Sequence, residues 1–245
     1  MSTTTKLTAE DYAFKLYEML KPSGWHDVLK GFLLSEDFVN IIKTLEECVN
    51  DNKRFTPPLK NVFRAFMECP IDTLEVIVFG QDPYPQINVA DGIAFSCGNT
   101  KKPEASLKYI LQAVSDTVYE GKKEIKDFDP DLKRWSNQGV LMLNTALTTE
   151  IGKIGKHYDI WDPFIKYLVD ILNAKDKEYV WVFMGKKAQE LTDLVDNVLN
   201  NTVILTCSHP ASAAYVKAEK WNCSDVFNDI NRALKFQNKS LQIVW

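Results

Sequence analysis

Four short runs along this chain are almost continuously apolar: 74–79 (Leu74 to Phe79), 140–144 (Val140 to Asn144), 179–184 (Tyr179 to Met184) and 202–207 (Thr202 to Cys207). Five or six apolar residues without alternation are what a strand buried on both faces presents. Between these runs the apolar positions switch to helical spacing, over 104–118, 161–174 and 186–199, and again over 224–236 with Ser224 as its N-cap. Strand and helix in alternation predict a parallel sheet covered by helices on both faces. Upstream the pattern is helical only. It predicts helices over 8–20 behind Thr8, over 35–49 behind the capping run Ser35-Glu36-Asp37, and over 58–68 started by Pro57-Pro58. The expected fold is α/β, a three-layer α/β/α sandwich on a central, mainly parallel four-stranded sheet. No repeat or Gly/Ser linker divides it, so we expect a single domain over 1–245, with 1–20 as a helical extension.

Composition narrows the function classes. With 245 residues, 45% hydrophobic and 25% charged, the chain has an ordinary globular make-up and length enough for a full core. No apolar run approaches the roughly 20 residues of a membrane span, so no membrane role is expected. The N-terminal Met1 to Lys6 carries no secretory apolar region. The five cysteines are scattered and include no C-x-x-C pair, which argues against disulfides, a zinc site or an iron–sulfur cluster. A reducing intracellular setting is expected, cytoplasmic or, in a eukaryotic or viral-host context, nuclear. The net charge of −4 does not advertise nucleic-acid binding, although a local basic rim is compatible with it.

The strand ends carry the chemistry. After the first strand comes Gly80-Gln81-Asp82-Pro83-Tyr84-Pro85, after the second Asn144-Thr145, after the third Gly185-Lys186-Lys187, and after the fourth Ser208-His209-Pro210. A parallel sheet brings all four points to one edge, where open α/β sheets bind ligands. Two prolines stiffen the first turn, which suits it to presenting Asp82 and Tyr84. Read alone, each residue has a plainer role: a turn-capping Asp, a loop His, an Asn after a strand, a core Phe.

Together these residues resemble uracil-DNA glycosylases of the first, widespread family. The GQDPY turn, Leu143-Asn144-Thr145 and Ser208-His209-Pro210 carry the likeness. Further matches run in order over about 21–245: Trp25-His26-Asp27-Val28-Leu29, Pro57-Pro58 with Val62-Phe63-Ala65-Phe66, Gly92-Ile93-Ala94-Phe95-Ser96, Trp135 to Thr145, His157-x-x-x-Trp161, and Ile243-x-Trp245 as a last strand or tail. So many motifs in sequence are highly specific.

The resemblance implies a cofactor-free, metal-free monomer that flips uracil out of single- or double-stranded DNA and hydrolyses the bond from uracil N1 to deoxyribose C1′. DNA-mimicking protein inhibitors are implied as partners. By the resemblance, Asp82 would orient water and stabilise a cationic sugar. His209 would be a neutral donor to uracil O2. Asn144 would read N3–H and O4 of uracil and reject cytosine, and Phe95 would stack on the base. Tyr84 would stand against C5 and exclude thymine, with Gln81 on the base edge. Pro83, Ser106, Ser208, Ala211, Ser212, Ala213 and Tyr215 are the expected DNA contacts, with Lys101, Lys102, Lys153, Lys156 and Lys217 in the rim loops. His26 and His157 read as structural, although His157 is also placed to touch the rim or support the site.

Three departures from the family pattern stand out. Pro85 replaces a histidine that supports the active turn. The apolar wedge position falls on Ala213, so either Tyr215 takes that duty or the wedge is lost. Asp91 stands where a histidine is usual and is expected to place an extra acid at the mouth. The rival reading is a non-catalytic DNA-binding or replication-accessory module on the same fold; retention of Asp82, Asn144 and His209 argues against it.

Overall fold

A computed structural model describes residues 7–196 and 201–245. Its centre is a four-stranded parallel sheet of β2 (Val76–Gly80), β3 (Val140–Asn144), β5 (Val180–Met184) and β6 (Val203–Cys207), in the order β3-β2-β5-β6. The four apolar runs are these strands, each within two residues of the expected limits. Register follows directly, with Val76 opposite both Val140 and Val180, and Val180 opposite Val203. β2 lies between β3 and β5, so the chain leaves it in opposite directions. That reversal opens a crevice at the carboxyl ends of the strands.

Two aromatic clusters glue the helices to the sheet. Helices α2 (Trp25–Leu33), α3 (Glu36–Asn50), α4 (Arg64–Glu68) and α7 (Tyr158–Asn173) meet through Trp25, Phe32, Phe38, Phe63, Phe66, Trp161 and Phe164 in mostly edge-to-face contacts. Helix α1 (Ala9–Met19) packs on α2 and α3, capped by Thr8 and Asp11 in a reciprocal capping box. The second cluster joins α6 (Lys133–Ser136), α10 (Val226–Phe236) and the chain end through Trp135, Phe227 and Trp245. Helix α5 (Ala105–Thr117) packs on α10 and on the short α9 (Ala211–Tyr215). α8 (Lys186–Gln189) follows β5 directly.

Several expectations change. Residues 58–68 form not one helix but a 3-10 turn, Leu59–Asn61, and then α4, because Pro58 is extended and Phe63 leaves helical geometry. The helix over 186–199 is confined to α8 and a 3-10 turn at Thr192–Leu194; residues 197–200 of that prediction lie outside the described residues. α7 starts three residues earlier than its apolar stripe. Asp225, not Ser224, is the N-cap of α10, and it makes no side-chain cap bond. The end of the chain is a tail rather than a strand, held by Ile243 N to Asn231 Oδ1 (2.8 Å) and by Trp245 Nε1 to the Phe227 carbonyl (3.0 Å). A two-stranded antiparallel pair of β1 (Phe55–Thr56) and β4 (Thr149–Glu150) was not evident in the sequence. Among the described residues no helix is long and apolar enough to cross a membrane.

Candidate active site

The crevice at the strand ends is a cavity of about 320 Å³. Gln81, Asp82, Pro83 and Tyr84 reach it from the turn after β2, Asn144 from the end of β3, and His209 from the turn after β6. Phe95, Ser106, Ala211, Ser212 and Tyr215 complete the set of expected residues on its wall.

Backbone bonds hold the β2 turn. The Gln81 carbonyl accepts from Thr145 Oγ1 (2.7 Å) and Ala146 N (3.3 Å), and the Pro85 carbonyl accepts from Gly152 N (2.9 Å). The Pro85 contact ties the turn to the 145–157 loop, which the β1–β4 pair pins from the other side. This arrangement delivers Gly155 N to Asp82 Oδ2 at 2.7 Å, while Tyr158 Oη lies 3.4 Å from Asp82 Oδ1. Burial pushes the Asp82 carboxyl above its ordinary range, and these two donors oppose that shift. Beyond any bond within its own turn, the Asp82 carboxylate is held by donors from a distant stretch of chain.

Burial also lowers the His209 imidazole to about 4, so it is neutral at physiological pH. Ala211 N donates to His209 Nδ1 at 3.2 Å, which leaves the ring proton on Nε2. The side chain is thus a neutral donor at Nε2. Its ring lies 5.6 Å from that of Phe95, tilted by 46°.

Phe95 is held in an unusual backbone state. Its φ is +64°, a left-handed conformation that costs a bulky side chain on the order of 1–3 kcal/mol. The Tyr84 hydroxyl donates to the Phe95 carbonyl (3.2 Å), and Ala94 N donates to the Met142 carbonyl (3.1 Å). Asp91 anchors the same loop. It is 1% exposed, accepts from Ile93 N, Ser96 Oγ (2.6 Å) and Gly98 N (2.7 Å), and pairs with Arg64 at 2.9 Å. The expectation of an extra acid at the mouth is therefore wrong for Asp91, whose charge is buried and neutralised. Beside Asp82, it is Glu104 that brings a second carboxylate to the cavity wall.

Two glycines make room. A Cβ on Gly80 would fall 2.6 Å from Asn144 Oδ1 and 2.9 Å from the Phe95 ring. Gly185, at φ +100°, sits between the Gln81 amide and His209 Cβ, where a Cβ would approach both at 2.9–3.0 Å.

Two expected contacts lie elsewhere. Ser208 is not on the cavity wall; its hydroxyl accepts from Trp221 Nε1 (2.9 Å) and donates to Asn222 Oδ1 (2.5 Å). Ala213 is 4% exposed and turned into the core, whereas Tyr215, at the end of α9, is 80% exposed. Only Tyr215 of the two wedge candidates projects. The five rim lysines are exposed, though Lys153 pairs with Glu150 at 2.6 Å. His26 stacks on Tyr17 in the N-terminal helices (3.9 Å between centroids). His157 is buried against Thr148 Oγ1 (2.8 Å), which also accepts from Trp161 Nε1. Both read as structural. Residues missed from sequence are Tyr158 on Asp82, and Ile154, Leu147 and Glu104 on the wall. Among the described residues no three His, Cys, Asp or Glu side chains converge as metal ligands.

The Uracil DNA glycosylase superfamily model matches residues 66–235. The chain is 34% identical over 219 residues to the uracil-DNA glycosylase of Buchnera aphidicola subsp. Baizongia pistaciae, covering 89% of this chain and 94% of that protein. It is 32% identical over 222 residues to that of Aliarcobacter butzleri, covering 90% and 99%. Similar solved structures include mimivirus uracil-DNA glycosylase, with TM-score 0.77, 24% identity and coverage of 93% and 88%. A mimivirus UNG variant in complex with UGI aligns with TM-score 0.78, 24% identity and coverage of 100% and 98%. At that identity the structures speak for the fold.

Proposed function

The chain belongs to the uracil DNA glycosylase superfamily, whose enzymes hydrolyse the N-glycosyl bond of uracil in DNA, and from that premise we propose how its residues divide the work. The protein is a uracil-DNA glycosylase of DNA repair. Water adds through oxygen to deoxyribose C1′ as the C1′–N1 bond breaks, and the electron pair leaves on uracil. Asp82 orients that water, takes up its proton and stabilises the positive charge on the sugar. His209 Nε2–H donates to uracil O2, where the departing charge collects; a neutral donor suits this role because it binds the anion without first protonating it. Asn144 reads the N3–H and O4 edge. Phe95 stacks on the ring, and Tyr84 closes the space beside C5. Tyr215 enters the gap left by the flipped nucleotide, and Ser106, Ala211 and Ser212 meet the flanking phosphates.

The observation that carries this reading is the convergence of Asp82, Asn144, Phe95 and His209 on one cavity at the strand reversal. Single- and double-stranded uracil-containing DNA are the proposed substrates, and a protein inhibitor such as the one bound to the mimivirus enzyme would cover the same face. We also propose a monomer working inside the cell. Uracil release from a labelled oligonucleotide, with chelator present, tests the assignment. Wild type should release free uracil and Asp82→Asn should lose at least a hundredfold in rate. Equal rates would reject Asp82 as the water-orienting group.

A further inference from the structure

Both oxygens of the Asp82 carboxylate are met by donors from one short stretch of chain. Gly155 N lies 2.7 Å from Oδ2 and Tyr158 Oη lies 3.4 Å from Oδ1. The stretch is rigid. Gly152 N is bonded to Pro85 O, and Gly155, at φ +69°, packs so closely on the Tyr158 ring that a Cβ would fall 2.7 Å from Cε2. On the other side the Lys187 ammonium stands 5.1 Å from the centroid of the Tyr158 ring and pairs with Glu190 at 2.6 Å. Tyr158 is therefore clamped between a loop and α8, with its hydroxyl aimed at the carboxylate.

We propose that Tyr158 is a positioning residue for the hydrolytic step: its O–H and the Gly155 N–H together hold Asp82 ionised and in one rotamer, with its remaining lone pairs toward the water. This rests on the assignment of Asp82 as the water-orienting group. A carboxylate half-buried in a largely apolar cavity is pushed toward its neutral form, which could neither orient water as a base nor stabilise a cationic sugar. Each donor to the charged form opposes that push. Other titratable and charged groups around this point are Lys187 on α8 and Glu190 just after it, Asp159, Asp162 and Lys166 on α7, the Glu150–Lys153 pair on the loop, Tyr84 on the same turn and neutral His209 across the cavity. None of them is altered by removing one phenolic oxygen.

Tyr158→Phe keeps the ring under Lys187 and removes only the donor. The acid limb of the kcat profile should move up by about one pH unit, and plateau kcat should fall about three- to tenfold with KM unchanged. Asp82→Asn should erase the difference, so that adding Tyr158→Phe to it changes the residual rate less than twofold. A Tyr158→Phe profile that superimposes on wild type overturns the proposal. So does an equal loss from Tyr158→Phe in the Asp82→Asn background, because the tyrosine would then act through packing. If Asp82→Asn alone retains the wild-type rate, the assignment of Asp82 has failed and the proposal falls with it.

Discussion

His209 gives the sharpest link between stability and function. Its imidazole titrates near 6.5 in an unfolded chain and at about 4 in the folded one, because burial disfavours the charged ring. A depressed folded value means that the unfolded chain takes up the proton first as pH falls. The group is neutral in both states above 6.5, so nothing is lost there. Between 6.5 and about 4 the unfolded state binds more protons and stability drops; below about 4 the loss is complete. The full difference corresponds to about 3 kcal/mol at about 1.4 kcal/mol per pH unit, and solvent contact at the cavity mouth trims this toward 2. His209→Asn removes the titrating group while keeping a polar side chain of similar reach. Denaturant unfolding of both proteins at pH 7.5 and 4.5 isolates the effect, since His157 and the carboxylates are common to both. Wild type should lose about 1.5–2.5 kcal/mol more than the variant over that interval, which stops short of the folded value. Parallel losses would mean that the ring is solvated and free to charge, and the neutral-donor role for uracil O2 would lose its physical basis.

Other outcomes follow from the same geometry. Gly80→Ala should lower uracil release by about a hundredfold, because the methyl displaces Asn144 and Phe95 from their places; unfolding stability should change little, and wild-type kcat would refute the close approach. Tyr215→Ala should reduce release from duplex about tenfold and from single strands hardly at all, since unstacking is costly only in the duplex. Ala213→Leu should cost about 1–3 kcal/mol of stability by overpacking and bring no gain on duplex; a duplex-specific gain would return the wedge to that position. Tyr84→Ala should admit thymine and Asn144→Asp cytosine, each weakly against a large loss on uracil. Tyr84→Ala that still releases uracil but no thymine would place methyl exclusion elsewhere.

The sheet was legible because each of its strands is buried on both faces, leaving an unbroken apolar run that period and length identify. The convergence of candidate residues was legible where they sit at or just after the end of such a strand, as for Asp82, Asn144 and His209. It was not legible where a residue acts across the fold. Tyr158 meets Asp82 from 76 positions away, through a loop set by the two-residue pairing of β1 and β4, too short to leave a pattern. Asp91 reads locally as a solvated acid, and only Arg64, 27 positions earlier, shows it to be buried. The inward turn of Ala213 depends on how α9 lies on α5, which a five-residue helix does not encode in its own periodicity. Ser224 misses the capping position by one residue, because α10 begins at Val226 behind Asp225; its carbonyl instead accepts from Thr117 Oγ1 at 3.1 Å.

Arg64 has a consequence for how the molecule breathes. From α4 it holds Asp91 at 2.9 Å and both oxygens of Asp131 at 2.7–2.8 Å, so one guanidinium joins the Phe95 loop, the segment before α6 and the N-terminal helices. A buried carboxylate stripped of that partner is strongly disfavoured. The 91–98 loop therefore opens together with α4 rather than by fraying alone. Amide exchange at Ser96 and Gly98 should proceed at the pace of the α4 amides, and Arg64→Met should release the loop into faster, independent exchange. The strained backbone of Phe95 thus lies in a loop whose anchor is shared with the helical layer, so a disturbance in either should be felt in both.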